Sequence, residues 1–227
     1  MPSLSQLLAA HPVVLLLDSA SARVQVGLWP GSGKVPRWST RDEEAGKGLF
    51  ACVEELFDAS GCGFADVNAC IFCEGPGSVL GVRTAAAALR AWGVLHPVPV
   101  FAFQSLALVA SALGDPAANV IADARRDSWH VARLGAPLRR VPTAELAGDL
   151  VLPEHFRHWT PLPAGVRRTP YDLAALLPRA TDADLFHATA TPDAFLHEEP
   201  TYAMWTPQVH QAEERNRIAP LQSSPAR

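Results

Sequence analysis

The groups best placed to do chemistry in this 227-residue chain gather in four places. Gly75-Pro76-Gly77-Ser78 stands between an apolar run and a helical one. Free backbone N–H groups at such a helix start favour an anion, and Ser78 is equally suited to cap the helix. Arg83, just beyond, has two readings open to it: clamping an anion or pairing with a carboxylate. Cys70 and Cys73 form a C-x-x-C, the spacing of a zinc or redox pair. A strand over this stretch points residues three apart to opposite faces, so the thiols read as small buried hydrophobes. His155 and His158 make the one close histidine pair, in a proline-rich stretch without the helical stripe that converges ligands on a metal. Asp18 and Asp123 each end an apolar run. There is no G-x-S-x-G nucleophile elbow. The expectation is a chain with no catalytic residues, metal or cofactor of its own.

Holding these groups in place requires alternating strands and helices. Residues 13–17 form a continuous apolar run, and 23–29 alternate with Val24, Val26 and Leu28 on one face, which predicts an antiparallel hairpin. A weaker strand is predicted at 34–39. A helix follows over 42–60, with Leu49, Phe50, Val53, Leu56 and Phe57 in one stripe and Gly61 and Gly63 at its end. Strand 69–73, helix 81–95, strand 98–103 and helix 104–113 come next. The stripe of the helix at 81–95 is Val82, Ala85, Ala86, Leu89 and Trp92.

The pattern then restarts. Asn119-Val-Ile-Ala-Asp123, a short turn and the run 128–134 repeat the layout of 13–28, with Asp123 in the place of Asp18. Two such hairpins opening two successive β-rich stretches indicate a duplicated fold, with halves at 1–102 and 103–205. Seven prolines between Pro137 and Pro178 break the second half into short pieces. It retains a predicted helix at 171–177 and a weak strand at 200–205, and 206–227 reads as a polar mobile tail.

Composition narrows the function classes. Lys and Arg number 19 against 23 Asp and Glu, a net charge of −4. Residues 1–100 carry 7 basic and 9 acidic groups, and 101–205 carry 9 and 12. No basic stripe of the kind used for phosphate neutralisation stands out, so direct nucleic-acid binding is not expected. No apolar run approaches the ~20 residues of a membrane helix, and no basic stretch precedes the first strand as in a signal peptide. The expected location is the cytoplasm.

Leu16-Leu17-Asp18-Ser19, Gly75-Pro-Gly-Ser-Val-Leu-Gly-Val-Arg83, Phe103-Gln-Ser-Leu106 and Ile121-Ala-Asp-Ala-Arg125 resemble, in this order, the TsaB (YeaZ) family. The resemblance covers about residues 12–135, with the GPGS-x-x-GVR run its most specific part, and Pro200-Thr201-Tyr202 is similar to a Pro-x-Tyr segment near the end of such chains. It implies an α/β fold of the actin-like, Hsp70-like and sugar-kinase-like (ASKHA) class, with two RNase H-like halves built from mixed sheets flanked by helices. The implied role is a non-catalytic, activating scaffold in threonylcarbamoyladenosine modification of tRNA, pairing with a TsaD-like transferase and working with a TsaE-like ATPase.

In nucleotide-using members of that superfamily the hairpin turns grip phosphates. The residues that would do so here are Asp18, Ser19, Gly75, Gly77, Ser78, Arg83 and Asp123. Neither turn contains glycine, which favours two sheet-connecting turns with their aspartates satisfying local backbone donors. The resemblance also implies that the two N-terminal helices pair with TsaD or with a second copy as a homodimer, through Leu49, Phe50, Val53, Phe57, Val82, Ala85, Ala86 and Leu89. The same stripes suit a helix that only covers its sheet. The alternatives are a metal-dependent glycoprotease-like peptidase or an ASKHA-type kinase. Against the peptidase, 41–57 contains no histidine where TsaD-like chains carry a pair, and against the kinase the turn glycines are missing. The chain departs from the family at Val79-Leu80, at Gln104 and in its short second half, which marks it as a divergent member.

Overall fold

The computed structural model describes residues 1–31 and 33–195. The strand expected at 200–205, the Pro200-Thr201-Tyr202 segment and the 206–227 tail lie outside them.

Two mixed sheets carry the fold. The first begins with β1 (Val13–Asp18), β2 (Val24–Pro30) and β3 (Arg37–Arg41), continues after helix α2 (Ala45–Ser60) with β4 (Ala69–Gly75), and after α3 (Val79–Leu95) with β5 (Val100–Gln104). Helix α4 (Ser105–Leu113) leads to the second sheet: β6 (Ala118–Asp123), β7 (Ser128–Ala132), β8 (Arg139–Pro142), β9 (Asp149–Pro153) and β10 (Arg167–Thr169). Helix α5 (Leu173–Arg179) follows, and the two-residue β11 (His187–Ala188) pairs antiparallel with β5 of the first sheet. A short helix, α1 (Leu4–Ala10), precedes everything.

The strand order in the first sheet is β11-β5-β4-β1-β2-β3, and in the second β10-β9-β6-β7-β8. Without β11 the two orders are the same, and so are the directions. β1 and β6 each pair antiparallel with the strand that follows and parallel with a later one, β4 or β9. This is the duplicated α/β fold expected of the ASKHA class.

β1 is the central strand, and Val14 to Leu17 have no exposure, as expected of a strand covered on both faces. Sequence and structure differ mainly at element ends. Helix α2 starts at Ala45, three residues later than 42. Helix α3 starts at Val79, two residues earlier than 81, because the Ser78 hydroxyl accepts from Gly81 N–H and caps it. Helix α1 was not anticipated, although Ser3 and Gln6 form a capping box around Leu4 and Leu7, both buried. β8, β9, β10 and β11 are likewise additions to the predicted set.

Candidate functional site

The GPGS loop follows β4 and faces the β1–β2 turn, and its glycines are required by that contact. A Cβ on Gly77 would sit 2.2 Å from the Ala20 carbonyl oxygen, and one on Gly81 would sit 2.0 Å from that of Ser19. Gly77 also has φ +153°, a value side chains rarely adopt. The approach is fixed by hydrogen bonds: Ser78 N–H donates to the Ala20 carbonyl at 2.7 Å, and the Ser19 hydroxyl donates to the Gly81 carbonyl at 2.7 Å. From behind, the Ser105 hydroxyl at the start of α4 donates to the Pro76 carbonyl at 2.6 Å. Ser19, Gly75, Gly77 and Ser78 are thus brought together, and much of their polar capacity is used within the chain.

The two aspartates occupy equivalent turns in different ways. Asp18 Oδ1 accepts from Ala20 N–H at 2.8 Å, and Asp123 Oδ1 accepts from Arg125 N–H at 2.6 Å, the same two-residue Asx turn in both halves. Their outer oxygens diverge. Asp18 is fully buried, and its Oδ2 accepts from the Tyr171 hydroxyl at 2.5 Å. Burial pushes its carboxyl up to about 6, against the pull of Tyr171, Ala20 N–H and Cys73. Burial and the neighbouring Asp18 charge also raise the Tyr171 hydroxyl and the Cys73 thiol well above their ordinary values. Gln25 extends this buried contact, donating to the Tyr171 carbonyl at 3.0 Å and accepting from Leu173 N–H at 2.9 Å. Asp123 lies nearer the surface, and its Oδ2 accepts from Trp159 and Thr160 N–H at 2.6 and 2.8 Å. Partial burial works to raise its carboxyl, but the N–H donors of Thr160, Trp159 and Arg125 outweigh that and hold it below its usual range.

Between the two turns lies a cavity of about 340 Å³, lined from the first half by Ala20 to Ala22 and Gly77 to Leu80, and from the second by Asp123, Arg125, Arg157 and Trp159. The second turn carries three successive residues at positive φ, Arg125 at 63°, Arg126 at 51° and Asp127 at 52°. Arg140 braces it by donating to the Ser128 hydroxyl and to the carbonyls of Ala124 and Arg125. The Arg125 guanidinium lies over the Trp159 ring.

Arg83 is set apart from this cavity and faces Asp193 at 3.7 Å, both half exposed. Of the helix residues assigned to a partner face, Leu49, Val53, Val82, Ala85, Ala86 and Leu89 are buried at 0–3% exposure in this chain's own core. Phe57 is half-buried, and Phe50 stays 47% exposed with its ring edge against Trp92. The four cysteines are free thiols, and burial pushes Cys70 up to about 12. Among the described residues no group of three His, Cys, Asp or Glu side chains is arranged to hold a metal ion. No helix among them is long and apolar enough to cross a membrane.

Sequence reasoning did not single out Tyr171, Gln25 or Trp159, and it met Ser105 only as part of the Phe103-Gln-Ser-Leu106 motif. Gln25 sits inside an apolar alternating strand, where a polar residue facing inward was a usable signal. Tyr171 was placed only as the first residue of the predicted helix at 171–177, and Trp159 lies in proline-rich sequence with no periodicity to place it.

The family model described as TsaD, tRNA N6-adenosine threonylcarbamoyltransferase, matches residues 30–144, about half of the chain. No curated protein matches the sequence. Among solved structures, YeaZ from Pseudomonas aeruginosa is similar over 74% of this chain and 90% of its own, at 21% identity and a TM-score of 0.58. Another solved structure, of a protein with similarity to peptidase YeaZ from Pseudomonas aeruginosa, matches over the same shares at 20% identity and a TM-score of 0.57. With the duplicated sheets, the paired Asx turns and the GPGS loop in place, the chain belongs to the TsaD family of tRNA threonylcarbamoyladenosine biosynthesis and has the YeaZ (TsaB) fold.

Proposed function

We propose that this chain is a non-catalytic scaffold that pairs with a TsaD-like transferase, with a TsaE-like ATPase as the third component, in threonylcarbamoyladenosine modification of tRNA. The observation that carries this reading is the packing of Gly77 and Gly81 directly on the Ala20 and Ser19 carbonyls. Where a nucleotide-using relative would open its first turn to a phosphate, this chain closes turn and loop on each other. Asp18, the carboxylate that would organise a metal there, is buried under Tyr171. The geometry therefore favours a protein that lends surface to a partner over a kinase or a metallopeptidase.

The surface offered is the outward side of the α2–α3 layer. Leu80 and Val94 on α3 are 79% and 82% exposed and lie two heptads apart, with exposed Ala87 and Ala91 between them, while Phe50 on α2 is exposed against Trp92 on another side of α3. A slim apolar stripe of this kind, flanked by Arg83 and Arg90, which face Asp193 and the Pro192 carbonyl, suits helix–helix docking. Co-expression with the TsaD-like protein of the same organism should give a complex that co-purifies in mild salt, and failure to associate would overturn the proposal. Leu80→Arg with Val94→Arg should abolish co-purification and leave the fold intact. Titration with Mg-ATP should show no binding by the isolated chain, and saturable binding would favour the kinase reading.

A further inference from the structure

We propose that a basic, aromatic surface on the second half binds single-stranded RNA directly, through base stacking on Trp159 and phosphate contacts to Arg125, Arg157 and Arg168. The chain's even charge balance gave no hint of this, although all of the residues involved but Arg125 lie within 155–168. The folded chain gathers them around one shallow groove. Arg157, His155, His158, Trp159 and Arg168 line a groove of about 460 Å³, and Arg157 and Trp159 also line the adjoining cavity that holds Arg125.

Three features point to a single-stranded nucleic acid. Trp159 is 58% exposed, far more than folding requires of an indole, and a cation already lies over its ring. An exposed aromatic ring beside guanidinium groups is the arrangement that stacks an unpaired base while its phosphates are neutralised. The cations are also available: no carboxylate among the described residues lies within ion-pair distance of Arg125, Arg157 or Arg168. Two of the nearby acids are engaged elsewhere, Asp123 by three backbone N–H groups and Asp42 by Arg23 at 2.9 Å, while Glu154 and Asp172 lie toward Arg23. Glu43 and Glu44 line an adjoining pocket that shares Arg157, Ala22 and Leu80 with this surface, and they limit it on that side. Finally, the platform is fixed. Asp123 holds Trp159 and Thr160 by their N–H groups, so little ordering is left to be done on binding.

The test uses the full chain alone and a fluorescein-labelled, unstructured 12-nucleotide RNA, read by fluorescence anisotropy. Because no partner protein is present, the result does not depend on whether the chain pairs with a TsaD-like subunit. The wild type should bind at low salt and weaken as salt rises. Trp159→Ala should weaken binding about tenfold, as expected for the loss of one stacked base, and Trp159→Phe should retain most of it. Arg157→Ala with Arg168→Ala should flatten the dependence of log Kd on log salt by about 1.4, roughly 0.7 for each phosphate contact on a single strand. Circular dichroism melts of these surface variants should match the wild type. Absence of binding at ~50 mM salt, where phosphate contacts are strong, would overturn the proposal. So would a Trp159→Ala variant that melts normally and binds as well as the wild type.

Discussion

The two halves share strand order, strand direction and an Asx turn, yet one is closed where the other is open. In the first, the segment after β4 becomes the GPGS loop and the 17-residue helix α3. In the second, the equivalent segment after β9 has no helix among the described residues, and 154–166 runs as a loop carrying His155, Arg157 and Trp159. The crossover between β8 and β9 is similarly reduced to one 3-10 turn, Thr143–Glu145, where the first half has α2. The shared sheet is thus the constant part of the duplication. The connections at the strand ends were free to diverge, one set toward helices that shield a core and the other toward exposed cations and an indole.

The largest test of this contrast is a methyl group. Gly81→Ala drives a Cβ into the Ser19 carbonyl, a backbone atom with no easy retreat. It should destabilise the chain by about 3 kcal/mol or more, read in a urea melt. A loss below ~1 kcal/mol, within the range of ordinary surface changes, would show that the first half is not locked as described.

The aspartates provide the next test, through pH. The folded-state pKa of Asp18 is raised from 3.8 to about 6, so the folded chain holds this proton more tightly than the unfolded chain. Stability should therefore fall as pH rises from about 4 to 6, by on the order of 3 kcal/mol if the full shift is expressed. Asp18→Asn should remove that slope. Tyr171→Phe, by deleting a donor to the carboxylate, should carry the decline to higher pH. Asp123 is depressed, so its contribution is present at neutral pH and is lost only as pH falls through its low pKa. Asp123→Ala leaves the N–H groups of Arg125, Trp159 and Thr160 without their acceptor, and should cost about 2 kcal/mol at neutral pH.

Much of this contrast was readable in the sequence, and the unread part has a physical cause. The repeated hairpin was visible because apolar runs ending in Asp18 and Asp123 need no tertiary information to recognise. The GPGS loop was visible too, but not what it touches: Gly77 and Gly81 answer to carbonyls about sixty residues earlier. The stripes on α2 and α3 were read correctly as apolar faces, although sequence could not tell an inward face from an outward one. β9 was within reach, since Leu150, Val151 and Leu152 form a short buried run. The β10 sequence Arg167-Arg168-Thr169 was not, because its strand state depends on pairing with β9 and not on its own pattern.

The smallest test concerns the strained second turn. Arg126 has φ 51° and does not enter the proposed RNA surface. Arg126→Gly should relieve that conformation and stabilise the chain slightly, by about 0.5 kcal/mol after the added freedom of the unfolded glycine. A loss of stability would mean that the side chain contributes more than its backbone strain costs.

The return of β11 to β5 has a consequence for how the chain is made. Phe186 N–H donates to the Pro2 carbonyl, Ser5 N–H to the Thr181 carbonyl, and His187 meets Glu74 at 3.2 Å. The first sheet can acquire five strands early in synthesis, but its outer edge waits for β11, about 85 positions after β5, and its N-terminal segment for residues some 180 positions later. Until then the emerging chain carries an uncapped β5 edge, able to pair with another strand. Ribosome-bound chains stalled before residue 181 should therefore be the most dependent on a chaperone, and chains extended past residue 188 should be released from that dependence.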